Sequence, residues 1–479
     1  MRVLLVKPYQ PVENYVVAPP LGLLYLVSVL RQRFGPALEV EFLDMKVERR
    51  EPRWLAEHLR DRRPDVVGVS ALNCEAAAAH EIAQLVKRVD AKILTVLGGP
   101  YPHRRAAELL AATEFDWVCD GPAERVFPEA LARHFAGEPI GTDLPGVSYK
   151  TGDGVHVADG QDVIKDLDAL PWPAWDLVDF DAYAAQPNQM SVLKGRRYAT
   201  LFTSRGCPYK CNYCHDLFGK RFLYRSADDV IAEIAYLVER HGVDEFEIVD
   251  DIFNLHKPRL KQIMAEAARR WGGRIHFCFP NGLRADVLDE SVLDALKQGG
   301  TYALSIAIET VTPRLQQLVE KHLDLEKAGR MIDAADRRGM MVTGFFMLGF
   351  PTETPEELRA TVEFAVRSRL SLAYFFSVTP QPATPMHALA RTEGARALAE
   401  TDESKGGYRG TLAWYERAYG FALRRFVIRA YARFYGNPAR ILRILRRVPR
   451  RSLVWGLRRL LAIVADRPEI DGNAVRSRA

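Results

Sequence analysis

The sequence predicts an α/β protein with two parallel-stranded domains and a tail: an open, doubly wound sheet, a partial (β/α)6 barrel, and a basic helical C-terminal region. Three observations predict it. Short apolar runs alternate with amphipathic helical stretches through the first 140 residues. The alternation breaks over residues 141–195 and restarts near Tyr198, where six strand–helix units follow. Beyond about Lys405 only helical periodicity remains. Strands alternating with helices build parallel sheets, because each crossover must carry the chain back to the edge where it started. A chain of 479 residues is also too long for a single hydrophobic core. The expected domains are therefore 1–140, a linker at 141–195, a barrel at 196–400 and a tail at 401–479.

In the first domain Arg2–Lys7 is an apolar run stopped by Pro8, and Leu21–Phe34 has helical spacing. Residues 38–43 read as a second strand, 51–62 as an amphipathic helix and 65–70 as a third strand. An alanine-rich helix over 74–89 leads to a strand at 92–97 that ends in Gly98-Gly99-Pro100. A helix at Ala106–Ala112, a strand at Trp117–Cys119 and a helix at 123–135 complete it. In an open, Rossmann-like sheet of this kind, ligands bind beyond the carboxyl ends of the strands. Gly137, Pro139, Pro145, Gly152, Gly154, Pro171 and Pro173 then punctuate a linker with a candidate hairpin around 146–150. In the second domain, strands are expected at 199–204, 245–249, 275–279, 302–308, 341–347 and 373–379. Helices are expected at 228–240, 258–268, Glu290–Gln298, 325–338 and Pro355–Arg367. A barrel of such units carries its active site at the C-terminal ends of its strands.

Composition narrows the function class. Hydrophobic residues at 48% and charged residues at 27%, with a net charge of +5, are the balance of a soluble globular protein. No window reaches the ~20 apolar residues of a membrane span, and the first apolar run breaks at Pro8, too early for a secretory leader. The expected location is the cytoplasm, where thiols stay reduced. Six cysteines over this length are no disulfide framework. Cys74, Cys119 and Cys278 sit in apolar stretches and are expected as core filling. The other three crowd into eight residues, a spacing suited to metal ligation.

Those three directly follow the first barrel strand, in Arg205-Gly206-Cys207-Pro208-Tyr209-Lys210-Cys211-Asn212-Tyr213-Cys214-His215. Three thiolates on one loop can ligate three irons of a cubane and leave the fourth iron without a protein ligand. A structural zinc site would want a fourth ligand, for which His215, adjacent to Cys214, is badly placed. A ferredoxin-type cluster would need a fourth cysteine, and the remaining three are distant in sequence. The segment resembles the signature of the radical S-adenosylmethionine (SAM) superfamily. That resemblance implies a [4Fe–4S] cluster on Cys207, Cys211 and Cys214, whose open iron chelates SAM and whose electron cleaves it to a 5′-deoxyadenosyl radical. It also implies SAM contacts at later strand ends: Asp250 for the amino group, Arg284 for a carboxylate, Glu309 for the ribose hydroxyls, and Gly349 in Gly349-Phe350-Pro351 beside adenine. Asp250 and Asp251 have an alternative as helix-capping or turn residues, and Gly349-Phe350-Pro351 has one as a simple turn. Glu309, a carboxylate closing a buried strand, requires a partner in any case.

Ala18-Pro19-Pro20-Leu21-Gly22-Leu23-Leu24-Tyr25-Leu26, Val67-Gly68-Val69-Ser70, Gly98-Gly99-Pro100-Tyr101-Pro102 and Asp120-Gly121-Pro122-Ala123-Glu124 stand in that order ahead of the barrel. Together they resemble the cobalamin-binding domain of the B12-dependent branch of that superfamily. Cobalamin is thereby implied, its nucleotide tail at Ser70, Gly98 and Gly99, where glycines admit close backbone approach and helix N-termini favour phosphate. A degenerate domain that only packs or binds substrate is the alternative. One departure stands out. Cobalamin domains that ligate cobalt carry Asp-x-His-x-x-Gly after the second strand, whereas this chain has Asp44-Met45-Lys46-Val47-Glu48-Arg49. Losing the lower ligand favours a methyl group ready to leave.

Between Phe421 and Leu460 there are twelve arginines and no acidic residue, with apolar residues at helical spacing. The plainest reading is a helical cap on the barrel with a solvated basic face. Peripheral contact with an anionic membrane comes second, and nucleic acid, for which no reader motif is present, comes last. The function implied is cobalamin-dependent methylation of an unactivated carbon in a small-molecule or lipophilic substrate, fed by an electron donor such as a flavodoxin or ferredoxin. Relatives resembling anaerobic tetrapyrrole cyclases and ring-contracting enzymes use the same two domains for cyclisation or rearrangement without methyl transfer. A non-catalytic iron–sulfur or corrinoid-binding protein is the third reading, disfavoured by SAM-contact segments at several successive strand ends.

Overall fold

The computed structural model describes residues 1–9, 16–48, 50, 52–190, 192–381, 384–392, 420, 422–448 and 452. The first sheet comprises β1 (Arg2–Lys7), β2 (Glu39–Asp44), β3 (Val66–Ser70), β4 (Leu94–Gly98), β5 (Trp117–Cys119), β6 (Val147–Lys150) and β7 (Val155–His156), in the order 2-1-3-4-5-6-7. Strands β1 to β5 run parallel, and β6 and β7 add an antiparallel edge. Strand order reverses between β1 and β3, and such a switch point opens a crevice beyond the carboxyl ends. A parallel sheet covered on both faces needs apolar side chains in both directions. Strand β1 shows this: Leu4 and Val6 join one core cluster, Val3 and Leu5 the other. The hairpin expected in the linker forms, but it extends the first sheet instead of standing between domains.

The second sheet comprises β8 (Tyr198–Leu201), β11 (Glu245–Ile248), β12 (His276–Leu283), β13 (Thr301–Glu309), β14 (Met341–Leu348) and β15 (Leu372–Ser377), paired in chain order and all parallel. The order is that of an open half-barrel. Its crossover helices are Ala227–His241, Lys257–Trp271, Glu290–Gln298, Leu325–Arg337 and Pro355–Arg367. Their starts are capped by the side chains of Ser226, His256, Asp289, Asp324 and Thr354, each accepting a bond from an early helix N–H. The strand expected over 199–204 divides. It leaves the sheet after Leu201, and β9 (Ser204–Arg205) pairs antiparallel with β10 (Leu223–Tyr224).

The first sheet keeps its own two core clusters, but the first helix of that domain joins the core of the barrel. Val17, Leu21, Leu24 and Tyr25 of the first domain cluster with Tyr198, Phe246 and Ile248 of the barrel, and Trp175, Phe180 and Tyr183 of the linker join them. Polar bonds tie the same seam: the Tyr198 hydroxyl donates to the Val17 carbonyl at 2.6 Å, and the Tyr183 hydroxyl to Asp44 at 2.6 Å. The linker is a packed strap, not a tether.

At the C-terminus, helices Leu423–Tyr435 and Pro438–Arg447 pack on the barrel. The buried Arg440 donates to the carbonyls of Val366, Ser368, Leu370 and Phe434, closing the end of the helix Pro355–Arg367. Arg369, Arg443 and Arg447 surround the buried Asp336. The basic periodicity therefore describes a helical cap over 422–448; Phe421 and the apolar positions of 453–461 lie outside the described residues. No helix among the described residues is long and apolar enough to cross a membrane. Cys119 and Cys278 are buried as expected of core filling, while Cys74 is only partly buried.

Candidate active site

The three cysteines occupy the loop between β9 and β10, at the carboxyl end of the barrel. That loop is pinned at several points. Gly206 has φ +79°, and a Cβ there would stand 2.1 Å from the Arg221 carbonyl, so only glycine closes the turn. Its N–H donates to Asp251 at 2.9 Å. Asn212 holds the middle of the loop, donating from its side chain to the Leu318 carbonyl (2.6 Å) and from its backbone to that of Val319 (3.2 Å). Cys207 and Cys211 are partly buried and Cys214 is exposed. Burial pushes the Cys207 thiol above its ordinary pKa, and the neighbouring Asp251 and Cys211 push it further. Burial likewise raises the Cys214 thiol to about 11, although the residue as a whole is exposed. Without a cation these two thiolates are disfavoured, and a bound metal supplies the charge that makes them. Among the described residues no three His, Cys, Asp or Glu side chains converge on a single-ion site. His215 turns towards Asp251, 3.7 Å away. Three thiols with no preformed fourth ligand fit a cluster with one open iron better than a closed zinc site.

Three of the four residues expected to hold SAM connect to this loop. Glu309 ends β13 with φ +66°, a left-handed conformation that a non-glycine residue adopts at a cost and that recurs at ligand sites. Its carboxylate accepts from the Tyr213 hydroxyl at 3.3 Å and from the Lys321 ammonium at 3.2 Å. Tyr213 belongs to the cysteine loop, so Glu309 faces the cluster side. Arg284 lies over the ring of Tyr209, 3.7 Å from its centroid, and pairs with Asp286 at 2.8 Å. Gly349 has φ +90° and donates to Glu353 at 2.6 Å, as does Phe350 at 3.0 Å. Phe350 meets the Tyr213 ring edge-on at 6.3 Å. Burial raises the Glu353 carboxyl to about 8.

Asp250 stands apart. It is buried, accepting from the Thr203 N–H and hydroxyl and from the Ser204 hydroxyl, all at 2.6 Å. These bonds hold residues 203–204 where the chain has left β8. The acid directed at the cysteine loop is its neighbour Asp251. Sequence reading had the Asp250-Asp251 pair but no means of telling which face each takes. Tyr213 and Lys321 were missed as well; Tyr213 lay inside the cysteine motif, while nothing marked Lys321.

The carboxyl ends of the first sheet, at its switch point, carry a second candidate site. Gly98, Gly99 and Ser70 meet there: Gly99 has φ +86°, and a Cβ would stand 2.8 Å from the Ser70 hydroxyl and from the Ala71 carbonyl. At the switch point the buried Glu75 pairs with Lys7 and lies 3.7 Å from Lys46. Lys46 is itself buried, which lowers its pKa. It occupies the place of the cobalt-ligating histidine. One Glu75 oxygen has no hydrogen-bond partner despite its burial. A backbone cradle that any side chain would fill, next to an under-satisfied polar group, fits a large ligand laid against the strand ends.

Comparison with known proteins decides between these fits. Residues 201–365 match the model of the radical SAM superfamily, and residues 13–131 that of the B12 binding domain. The uncharacterized methyltransferase PH0819 from Pyrococcus horikoshii is 30% identical over 395 residues, covering 80% of this chain and 82% of the relative. The chain belongs to the B12-dependent branch of the radical SAM superfamily. A second relative of this radical SAM protein, the cytidylyl-2-hydroxyethylphosphonate methyltransferase of Streptomyces wedmorensis, is 28% identical, covering 75% of this chain and 76% of its own. The solved structure of the radical SAM methyltransferase TsrM from Kitasatospora setae, with cobalamin and a [4Fe–4S] cluster bound, shares the fold at a TM-score of 0.68. It is 22% identical and covers 80% of this chain and 76% of TsrM. The cofactors of this B12-dependent radical SAM enzyme are a [4Fe–4S] cluster, SAM and cobalamin.

Proposed function

We propose that this enzyme methylates an unactivated carbon of a small-molecule or lipophilic substrate held between the two domains. The observation that carries the reading is Lys46. It replaces the cobalt-ligating histidine and is buried against Glu75, so the crevice offers no imidazole from that motif to the metal. When bound, the corrin carries the methyl group, and the reduced cluster with SAM supplies the radical that removes a substrate hydrogen.

The chain's own residues hold and orient. Cys207, Cys211 and Cys214 would ligate three irons, leaving the fourth for the amino and carboxylate groups of SAM. Glu309, oriented by Tyr213 and Lys321, would accept from the ribose hydroxyls. Arg284, stacked on Tyr209, would face the carboxylate. The Gly349-Phe350-Pro351 turn, braced by Glu353, would border the adenine, and Asp251 rather than Asp250 would meet the amino group. Ser70, Gly98 and Gly99 would take the corrin's nucleotide tail. We place the enzyme in the cytoplasm, where a flavodoxin or ferredoxin can reduce the cluster. The described C-terminal helices do not favour membrane contact. Arg440, Arg443 and Arg447 are spent on barrel carbonyls and Asp336, and only Leu442 and Leu445 of that helix stand exposed as large apolar residues.

The test is anaerobic reconstitution with iron, sulfide and hydroxocobalamin, followed by reduction in the presence of SAM. Methyl transfer predicts both S-adenosylhomocysteine and 5′-deoxyadenosine, and a product heavier by one methylene. 5′-Deoxyadenosine alone, with no methylated product, would assign the enzyme to cyclisation or rearrangement. Neither nucleoside, with about four irons bound per chain, would leave a carrier.

A further inference from the structure

The cysteine loop is tied to the first domain at both of its ends. Arg205, two residues before Cys207, is buried and donates to the buried Glu124 at 2.6 Å, its guanidinium 5.2 Å from the ring centroids of Tyr25 and Phe218. Glu124 and Tyr25 belong to the first domain. Asp216, two residues after Cys214, reaches the same domain through the β4 loop: His103 Nε2 lies 2.8 Å from one oxygen, and Arg104 donates to the other at 2.6 Å. His103 Nδ1 lies 2.8 Å from Asp120, which also accepts from the Arg104 N–H at 2.9 Å and the Gln161 amide at 2.6 Å.

Both ring nitrogens of His103 therefore face carboxylates. The Gln161 amide also lies 2.9 Å from Nδ1 and can donate to it, but in a neutral imidazole one ring nitrogen would still hold its lone pair 2.8 Å from a carboxylate oxygen; only the imidazolium donates to both Asp120 and Asp216. We propose that His103 is a positioning residue: as an imidazolium between Asp120 and Asp216 it clasps the cluster loop to the cobalamin domain and, with the Glu124–Arg205 pair at the other end, sets where the cluster stands relative to the corrin crevice. The proposal rests on the assignment of Cys207, Cys211 and Cys214 as cluster ligands. Burial opposes the charge on His103, but the bonds to Asp120 and Asp216 outweigh it and hold its pKa above the ordinary value. The groups facing the ring are Asp120 from the end of β5, Asp216 from the cluster loop, Arg104 beside it and the Gln161 amide; Lys220 acts on Asp216 from farther along the loop. Because the folded pKa is raised, the clasp is complete below pH ~6.5 and is lost as pH rises through the folded value.

The experiment is hydrogen–deuterium exchange of peptides spanning residues 205–216 in the reconstituted holoenzyme, between pH 6 and 9, corrected for intrinsic chemical exchange. We expect protection to fall about tenfold with rising pH, the scale of one charge-assisted clasp. In His103→Gln the same peptides should exchange at the fast rate throughout, with iron content retained. A flat wild-type profile, or a His103→Gln profile that still tracks pH like wild type, would overturn the proposal. The wild-type titration stands even if the variant fails to fold. Exchange is read without turnover, so a protein that binds four irons and cleaves SAM but shows no titrating protection loses only the clasp.

Discussion

At the scale of single residues the site turns on Glu309 and Gly206. Glu309 was legible because a carboxylate closing an apolar strand needs a partner, yet its partners Tyr213 and Lys321 come from two other loops that no local pattern connects. Glu309→Gln keeps the shape and removes the charge. We expect 5′-deoxyadenosine formation to drop about tenfold or more, the worth of one charge-assisted bond to a ribose hydroxyl, with iron per chain unchanged. Loss of iron in that variant would mean that Glu309 braces the cluster loop and not SAM. Gly206→Ala puts a Cβ 2.1 Å from the Arg221 carbonyl at a positive φ. The loop must move, and iron retained after desalting should fall below about half of wild type while the far-ultraviolet spectrum persists.

Among the elements, the C-terminal helices show how a charge run misleads. Twelve arginines without an acid look like a surface for anions. The structure turns three of those it describes to buried partners and pairs a fourth at the surface. Arg440 caps the helix Pro355–Arg367, Arg443 and Arg447 neutralise Asp336, and Arg433 pairs with Glu363. Charge pattern alone does not separate a solvated face from a capping one, because the acceptors are backbone carbonyls that every helix end offers. Arg440→Ala leaves those carbonyls buried and unpaired. We expect a loss of about 3 kcal/mol of stability, read as a lower urea midpoint; an unchanged midpoint would mean that the Arg440 cap contributes nothing to the barrel's stability.

Across the whole molecule, three buried carboxyls set a pH trend. Burial raises Glu245 to about 7 and Glu353 to about 8, while burial together with the adjacent Glu245 raises Glu247 to about 8. Each binds a proton in the folded state that it releases when unfolded above pH ~4.5. Their contribution is therefore complete below that pH and is lost as pH rises through 7 to 8. Thermal stability should decline from pH 6 to pH 9, and Glu247→Gln should flatten the decline. A melting temperature that climbs over this range would place the charged forms of these groups in the native state. The same scale holds the seam between domains, where Val17, Tyr25, Trp175 and Tyr183 belong to the barrel's own core cluster. The linker's proline and glycine content hid this, since its few aromatics carry no periodicity.

The sequence by itself determined the alternation that builds both sheets, the three cysteines and their place at the end of a barrel strand, and the missing histidine after the second strand. These are local: each follows from the period of apolar residues or from side chains a few positions apart. Only the tertiary structure decided that Asp250 is buried while Asp251 meets the cysteine loop, that Lys46 is neutralised by Glu75, and that His103 and Glu124 of one domain hold the two ends of a loop in the other. Those facts depend on which groups, tens to hundreds of residues apart, are brought within hydrogen-bonding distance, and no periodicity in the chain records that.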